Sequence, residues 1–288
     1  STHCISSAAS DVYKRQATYT SGSGSDDLVY RYTIQSGETD SNGISIGANS
    51  LALNSSTIRD PAGNNGTLTH STVSDNSGYK VDTTPPNVSL TTAIIKNTGS
   101  AVVQSTETGT VYLVNTTVTV SNLASITGAA DNLWNRVYIS SPSTDTYLAA
   151  TGLADGTYKA YAMDDAGNLS SASSNSVIVD STIPIVRSVA ITDADGDQNS
   201  FLNAGDNVSV TATFSEAVDV ASGNPRITLS VGSDNETATY ASGSGSANLV
   251  FRYTIQSGDN DTNGISIRAV SYTHLRAHET SLHLVCRL

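Results

Sequence analysis

The chain has 288 residues, 26 Asp and Glu against 14 Lys and Arg, a formal net charge of −12, 38% apolar residues and 6% aromatic ones. So acidic a surface repels phosphate backbones and anionic lipid, which argues against nucleic acid as a partner and against membrane insertion. Lys, Glu, Leu and Met are scarce while Ser, Thr, Asn, Asp, Gly and Val abound, so the composition excludes a helical bundle and predicts strands joined by turns.

The two ends, residues 1–16 and 270–288, read differently from the middle. They resemble the translated sequencing-adapter read-through found at the ends of metagenomic reading frames, and are set aside as a tag would be. Cys4 and Cys286 fall in these ends, so no disulfide is expected. Four of the five histidines go with them, leaving His70 as the one imidazole available for acid-base work.

From residue 17 the chain reads ATYTSGSGSDDLVYRYTIQSGETDSNGISI, and from residue 238 it reads ATYASGSGSANLVFRYTIQSGDNDTNGISI; 23 of the 30 positions are identical. One kind of module therefore occurs twice. In each copy the SGSGS run is expected as a hairpin loop; a phosphate-cradling loop would need a following helix and a Lys-Ser/Thr pair, and has neither. Leu28, Tyr30, Tyr32 and Ile34 then alternate with polar partners, as Leu249, Phe251, Tyr253 and Ile255 do, the period of a half-buried strand.

Further along, Asp60-Pro61-Ala62-Gly63-Asn64 is expected as a turn opened by the Asp side chain. His70 has Ser71 and Asp75 nearby but reads as a surface residue rather than part of a triad. Val81-Asp82-Thr83-Thr84-Pro85-Pro86 and Val179-Asp180-Ser181-Thr182-Ile183-Pro184 read as linkers, since proline ends ladder pairing. Asp82 and Asp180 there are turn formers first and cation ligands second. The boundaries predict a partial domain over 17–84, a complete one over 85–182 and a partial one over 183–269.

In the middle domain Trp134 is expected in the core between Leu133 and Val137. Tyr158, Ala160 and Ala162 mark a strand, and Asp164-Asp165-Ala166-Gly167-Asn168 a second turn of the Asp60 type. Val208, Val210, Ala212 and Phe214 mark a strand in the third domain. The aromatics mostly alternate inward, which disfavours an exposed binding cluster. Before the Val208 strand stands Asp193-Ala194-Asp195-Gly196-Asp197-Gln198-Asn199, whose alternating carboxylates could turn oxygens toward a hard cation. It is not an EF-hand: Gln198 holds the place of the invariant Gly and Ala204 that of the bidentate Glu. Asp193, Asp195 and Asp197, with Asp206 in reach, are candidate calcium ligands able to stiffen the nearby linker; the bland reading is a solvated Asp/Gly loop.

The linkers VDTTPP and VDSTIP, the middle segment LADGTYKAYAMDDAGNLS, and FLNAGDNVSVTATFSEAV followed by ATYASGSGSANLVFRYTIQSGD resemble the bacterial immunoglobulin-like repeats of large secreted and surface adhesins. The resemblance implies an all-β chain of tandem immunoglobulin-like β-sandwich domains, located extracellularly or on the bacterial surface, often associated with Ca²⁺ and without catalytic activity. The partners it implies are neighbouring repeats of the same chain and, through other domains, a cell-surface glycan or protein. Three functions follow: a structural spacer; a glycan- or protein-binding module; the accessory region of a secreted hydrolase. A third domain without its closing strands is expected to aggregate through an unpaired sheet edge.

Overall fold

The computed structural model describes residues 16–268; the expectations for the two ends, Cys4 and Cys286 included, lie outside the described residues. The fold is all-β, with one five-residue helix and one 3₁₀ turn among the described residues. The chain divides between Ser181 and Thr182 into two compact units, so residues 17–84 and 85–181 share the first.

Residues 17–84 form three small antiparallel pairs. β1 (Thr18–Ser21) runs against β2 (Val29–Arg31), with Tyr19 opposite Tyr30. β3 (Thr39–Asp40) pairs with β6 (Val81–Asp82), and β4 (Ile44–Ile46) with β5 (Val73–Asn76). The alternation is present but little is covered: Leu28, Tyr30 and Tyr32 are half-buried and Ile34 is 39% exposed.

The following region, to residue 181, is a two-layer sandwich. β7 (Val88–Leu90), β9 (Ser100–Ser105) and β12 (Thr146–Ala149) make one sheet in the order β12-β9-β7. The other runs β11-β10-β13-β14-β8, from β8 (Ala93–Ile95), β10 (Gly109–Asn115), β11 (Trp134–Ile139), β13 (Gly156–Asp164) and β14 (Val177–Val179). The first strand thus changes sheets after Leu90, and β8 pairs parallel with the last strand. Leu90, Val103 and Leu148 from one sheet meet Val111, Leu113, Ile139, Tyr158 and Val177 from the other, all at most 2% exposed. Tyr158 is wholly buried, yet its hydroxyl is satisfied by the Ala154 carbonyl at 2.7 Å and the Asn132 carbonyl at 3.2 Å.

Trp134 departs from expectation. It packs on the outer face of the larger sheet, in a second cluster with Tyr112, Val114 and Ile126 under α1 (Leu123–Thr127), its ring 6.0 Å from that of Tyr112. The reason is register: Trp134 lies opposite Val114, whose side chain faces away from the inter-sheet core that Val111 and Leu113 fill.

The second unit is one six-stranded antiparallel sheet, β15-β16-β19-β18-β17-β20. Its strands are β15 (Val186–Asp195), β16 (Asn207–Val218), β17 (Arg226–Val231), β18 (Asp234–Ser242), β19 (Ser246–Thr254) and β20 (Ser266–Ile267). Val208, Val210, Leu229, Ala238, Leu249, Phe251, Tyr253 and Ile255 form the core, as the period-two pattern requires. All ten residues of β15 are exposed. Val189 and Ile191 lie opposite the buried Ala212 and Val210, hence on the same face, and are each 38% exposed.

Candidate functional site

The carboxylates were the groups singled out for chemistry, and the structure distributes them unevenly. Asp193 and Asp195 sit on β15, opposite Ser209 and Asn207. The chain then turns at Gly196 (φ 91°) and makes a tight two-residue turn, Asn199 (φ 53°) and Ser200 (φ 67°), with Gln198 and Phe201 exchanging both main-chain hydrogen bonds. Asp206 does reach this loop: a Cβ built on Gly196 would stand 2.1 Å from its Oδ1, so only glycine fits there, while its Oδ2 accepts from the Asn203 amide at 2.6 Å. The four aspartates are not drawn into a set of three ligand atoms within 4.8 Å of one another.

Among the described residues, the set with that spacing is Asp82, Glu107 and Asp164. It lies in the first unit, where the linker after residue 81 meets the sandwich. Asp164 opens the expected turn: its Oδ1 accepts from the Asn168 amide at 2.8 Å, its Oδ2 from Asn168 Nδ2 at 2.9 Å, and Gly167 takes φ 94°. Asn168 Nδ2 also donates to the Asp82 carbonyl at 3.1 Å, tying linker to turn. Asp82 Oδ1 accepts from the Thr84 amide at 3.0 Å, the turn-forming role expected of it. Burial and the negative charges of Asp82 and Asp164 push the Glu107 carboxyl above its ordinary value. Three carboxylate oxygens this close could meet a hard cation, although Ca²⁺ takes six to eight oxygens. Glu107 escaped the sequence reading because nothing near it in the chain is acidic; only the fold brings it to Asp82 and Asp164.

The other turn of this kind has the same geometry. Asp60 accepts from the amide and the side chain of Asn64, both at 2.8 Å, and Gly63 has φ 93°. Those bonds, the side-chain one foremost, hold the Asp60 carboxyl below its usual range.

The residues that could have suggested a triad have other partners. His70 Nε2 lies 3.0 Å from the Ser50 amide and Nδ1 lies 2.8 Å from the Ser71 carbonyl, while Asp75 accepts from Asn42. Exposed aromatics are more numerous than the alternation suggested: Tyr79, Tyr138, Tyr147 and Phe201 are each more than half exposed. Tyr138 donates to Asp165 at 3.1 Å, a bond that raises its pKa.

The second unit holds a cavity of about 250 Å³, whose lining includes Ile191, Phe201, Leu202, Ile255, Asp259 and Asp261. At its edge Tyr253 donates to Asp259 at 2.7 Å, and burial, that bond and the charges of Asp259 and Glu236 raise the phenol's pKa strongly.

No family description matches the chain. No curated protein matches it either. Among solved structures it is similar to the SGBP-B protein of the Bacteroides ovatus mixed-linkage glucan utilization locus, solved in complex with a mixed-linkage heptasaccharide. The identity is 14% over 88% of this chain, with a TM-score of 0.19. The chain spans 64% of that protein. No helix among the described residues is long and apolar enough to cross a membrane.

Proposed function

We propose that this chain is a non-catalytic structural stretch of tandem immunoglobulin-like repeats from an extracellular or surface-attached bacterial protein, serving as a spacer that carries binding regions found elsewhere. The repetition supports this reading most: two segments identical at 23 of 30 positions, one in each unit, fold with the same turn and the same strand register. A protein that repeats a module gains reach and multivalency rather than a new pocket. The immunoglobulin-like part of the proposal is supported by the Tyr158 hydroxyl bonding back to the carbonyl four residues upstream, the corner that such sandwiches carry where a strand enters the sheet, and by the first strand switching between sheets.

Calcium belongs to the same proposal as a stiffener, with Asp193, Asp195, Asp197 and Asp206 as its candidate ligands. A cation that binds the folded state alone raises the melting temperature. Melting the chain with calcium and with chelator, then repeating both on Asp195→Ala, tests this; coincident curves for the unaltered chain remove calcium from the account.

The spacer reading is tested by presenting the whole chain to a glycan array and to immobilised host-surface proteins. A spacer gives no saturable binding. Saturable binding to one glycan class, lost on replacing exposed Tyr138 or Tyr147, would replace the spacer with a binding module.

A further inference from the structure

The sandwich that ends at residue 181 carries two apolar clusters, and the outer one is closed differently from the core. The core is clamped between two hydrogen-bonded sheets. The outer cluster, with Tyr112, Val114, Trp134 and Tyr161 on the face of the larger sheet, is roofed by the connection from β10 to β11, which contributes Leu123 and Ile126. Ile126 is wholly buried, and it is the one buried residue of α1.

Both ends of that connection are tied to the sandwich. The Thr116 amide donates to the Thr157 carbonyl at 2.9 Å, and the Asn132 carbonyl accepts from the Ala154 amide at 2.9 Å and from the Tyr158 hydroxyl at 3.2 Å. Between these ties, the hydrogen bonds of residues 119–129 among the described residues all close within the segment. Asn122 Oδ1 accepts from the Ser125 amide at 2.9 Å, Thr127 Oγ1 donates to the Leu123 carbonyl at 3.2 Å, and the Gly128 amide donates to the Ala124 carbonyl at 2.9 Å. What holds the segment down is apolar contact, which has no direction. A flap fixed at both ends can therefore lift without breaking a hydrogen bond to the sheet.

Two donors on this face are left without acceptors. Trp134 Nε1 is buried and has no hydrogen-bond partner among the described residues, which is rare for a native polar group. Arg136, two residues along β11 and so on the same face, is exposed, and its guanidinium has no partner among the described residues. The register adds a second cation: Trp134 lies opposite Val114, and Val114 opposite Lys159, whose Nζ donates to the Ser173 carbonyl at 3.1 Å. Asp165, towards the end of the face that carries Tyr138, is taken up by that tyrosine and by Thr108 Oγ1. In a chain of net charge −12, this face offers an apolar bed bordered by positive charge.

We propose that the sheet face beneath residues 119–129 is a binding site for a small apolar anion with a flat aromatic body, admitted when the flap lifts. The body lies on Tyr112 and Trp134 in place of Leu123 and Ile126, and the acidic group accepts from Trp134 Nε1 and meets the charge of Arg136. Positions two apart on a strand are separated by about 7 Å, which the long Arg136 side chain spans, so one acidic group reaches both. An uncharged body of the same shape gains the apolar contact without the second partner, and a cation is repelled by Arg136 and Lys159. Because the closed flap must open first, the affinity is set partly by the cost of lifting it. The inference concerns one small molecule within one domain and does not rest on the spacer role proposed above.

Trp134 is the sole tryptophan, so its emission reports on this face alone. The test titrates the whole chain with anilinonaphthalene sulfonate and with uncharged anilinonaphthalene, following energy transfer from Trp134 to the probe. Saturable transfer to the sulfonate is expected, with the uncharged probe binding more weakly. Arg136→Gln, at an exposed position and checked for folding by its melting curve, should weaken sulfonate binding about tenfold, the usual worth of a hydrogen bond to a charged group. Ile126→Ala, which loosens the flap and leaves the strands intact, should strengthen binding about threefold by lowering the cost of opening. Absence of saturable transfer, an affinity that Arg136→Gln leaves unchanged, or binding that Ile126→Ala fails to strengthen would each overturn the proposal.

Discussion

Residues 17–46 and 238–267 are nearly the same sequence in two surroundings, and they differ in burial far more than in shape. The turn, its serine bonds and the edge-on aromatic pair recur, with ring centroids 5.9 Å apart for Tyr19 and Tyr30 and 6.2 Å for Tyr240 and Phe251. Yet Ile34 is 39% exposed where its counterpart Ile255 is 6%, and Tyr30 is half-buried where Phe251 is 4%. The hairpin is thus a local property of the chain. The core belongs to whatever strands lie across it: β16 and β17 cover the second copy, and among the described residues no apolar cluster reaches the first.

The largest expected effect separates the copies by that core. Phe251→Ala should cost about 3–5 kcal/mol, the usual range for emptying a packed aromatic site, while Tyr30→Ala should cost about 1 kcal/mol or less. Denaturant unfolding followed by hydrogen exchange along the chain reads both. Equal costs would mean that the first copy has a core after all.

Turn glycines should instead make the copies alike. Gly22 and Gly243 have φ of 104° and 108°, and a Cβ on either would come within 2.0 Å of a carbonyl oxygen, that of Asp27 or Asn248. Alanine at each should destabilise its hairpin by about 1–3 kcal/mol. Loss of exchange protection confined to the altered hairpin, and similar for both, checks it.

Tyr253 sharpens the comparison through pH. Its folded-state pKa is raised, so the stabilisation it brings is whole below the ordinary phenol value of about 10 and is lost as pH rises from there through the folded value. Tyr253→Phe should lose about 1 kcal/mol at neutral pH and flatten the alkaline fall in melting temperature. A fall that is identical in the variant would place its cause elsewhere.

Glu107 should give the smallest effect. Its pKa lies above the ordinary 4.5, so the protonated form favours the fold and stability declines as pH rises through the raised value. Glu107→Gln should remove that decline and raise the melting temperature at pH 7 by about 1–3 °C, more in low salt than in high. An unchanged melting temperature at low salt would mean that the three carboxylates do not repel one another appreciably.

Much of the fold was legible because strand burial repeats every second residue. Tyr158, Ala160 and Ala162, and Val208, Val210 and Ala212, are buried as their spacing implies. The Asp-x-Ala-Gly-Asn turns were legible because Asp and Asn bond within five residues and glycine supplies the positive φ. Trp134 was not, since its face depends on the register of β11 against β10, set by residues twenty positions away. The acidic set was half legible: Asp82 and Asp164 stand in recognisable turns, whereas Glu107 joins them only through the sandwich.

From its residues alone this protein determines an all-β chain, a repeated hairpin and the positions of its turns, because each rests on bonds and steric limits spanning a few residues. Only the tertiary structure decides which alternating faces are buried and which carboxylates meet. Those depend on strands brought together across long stretches of chain, where contact is governed by what lies opposite rather than by what comes next.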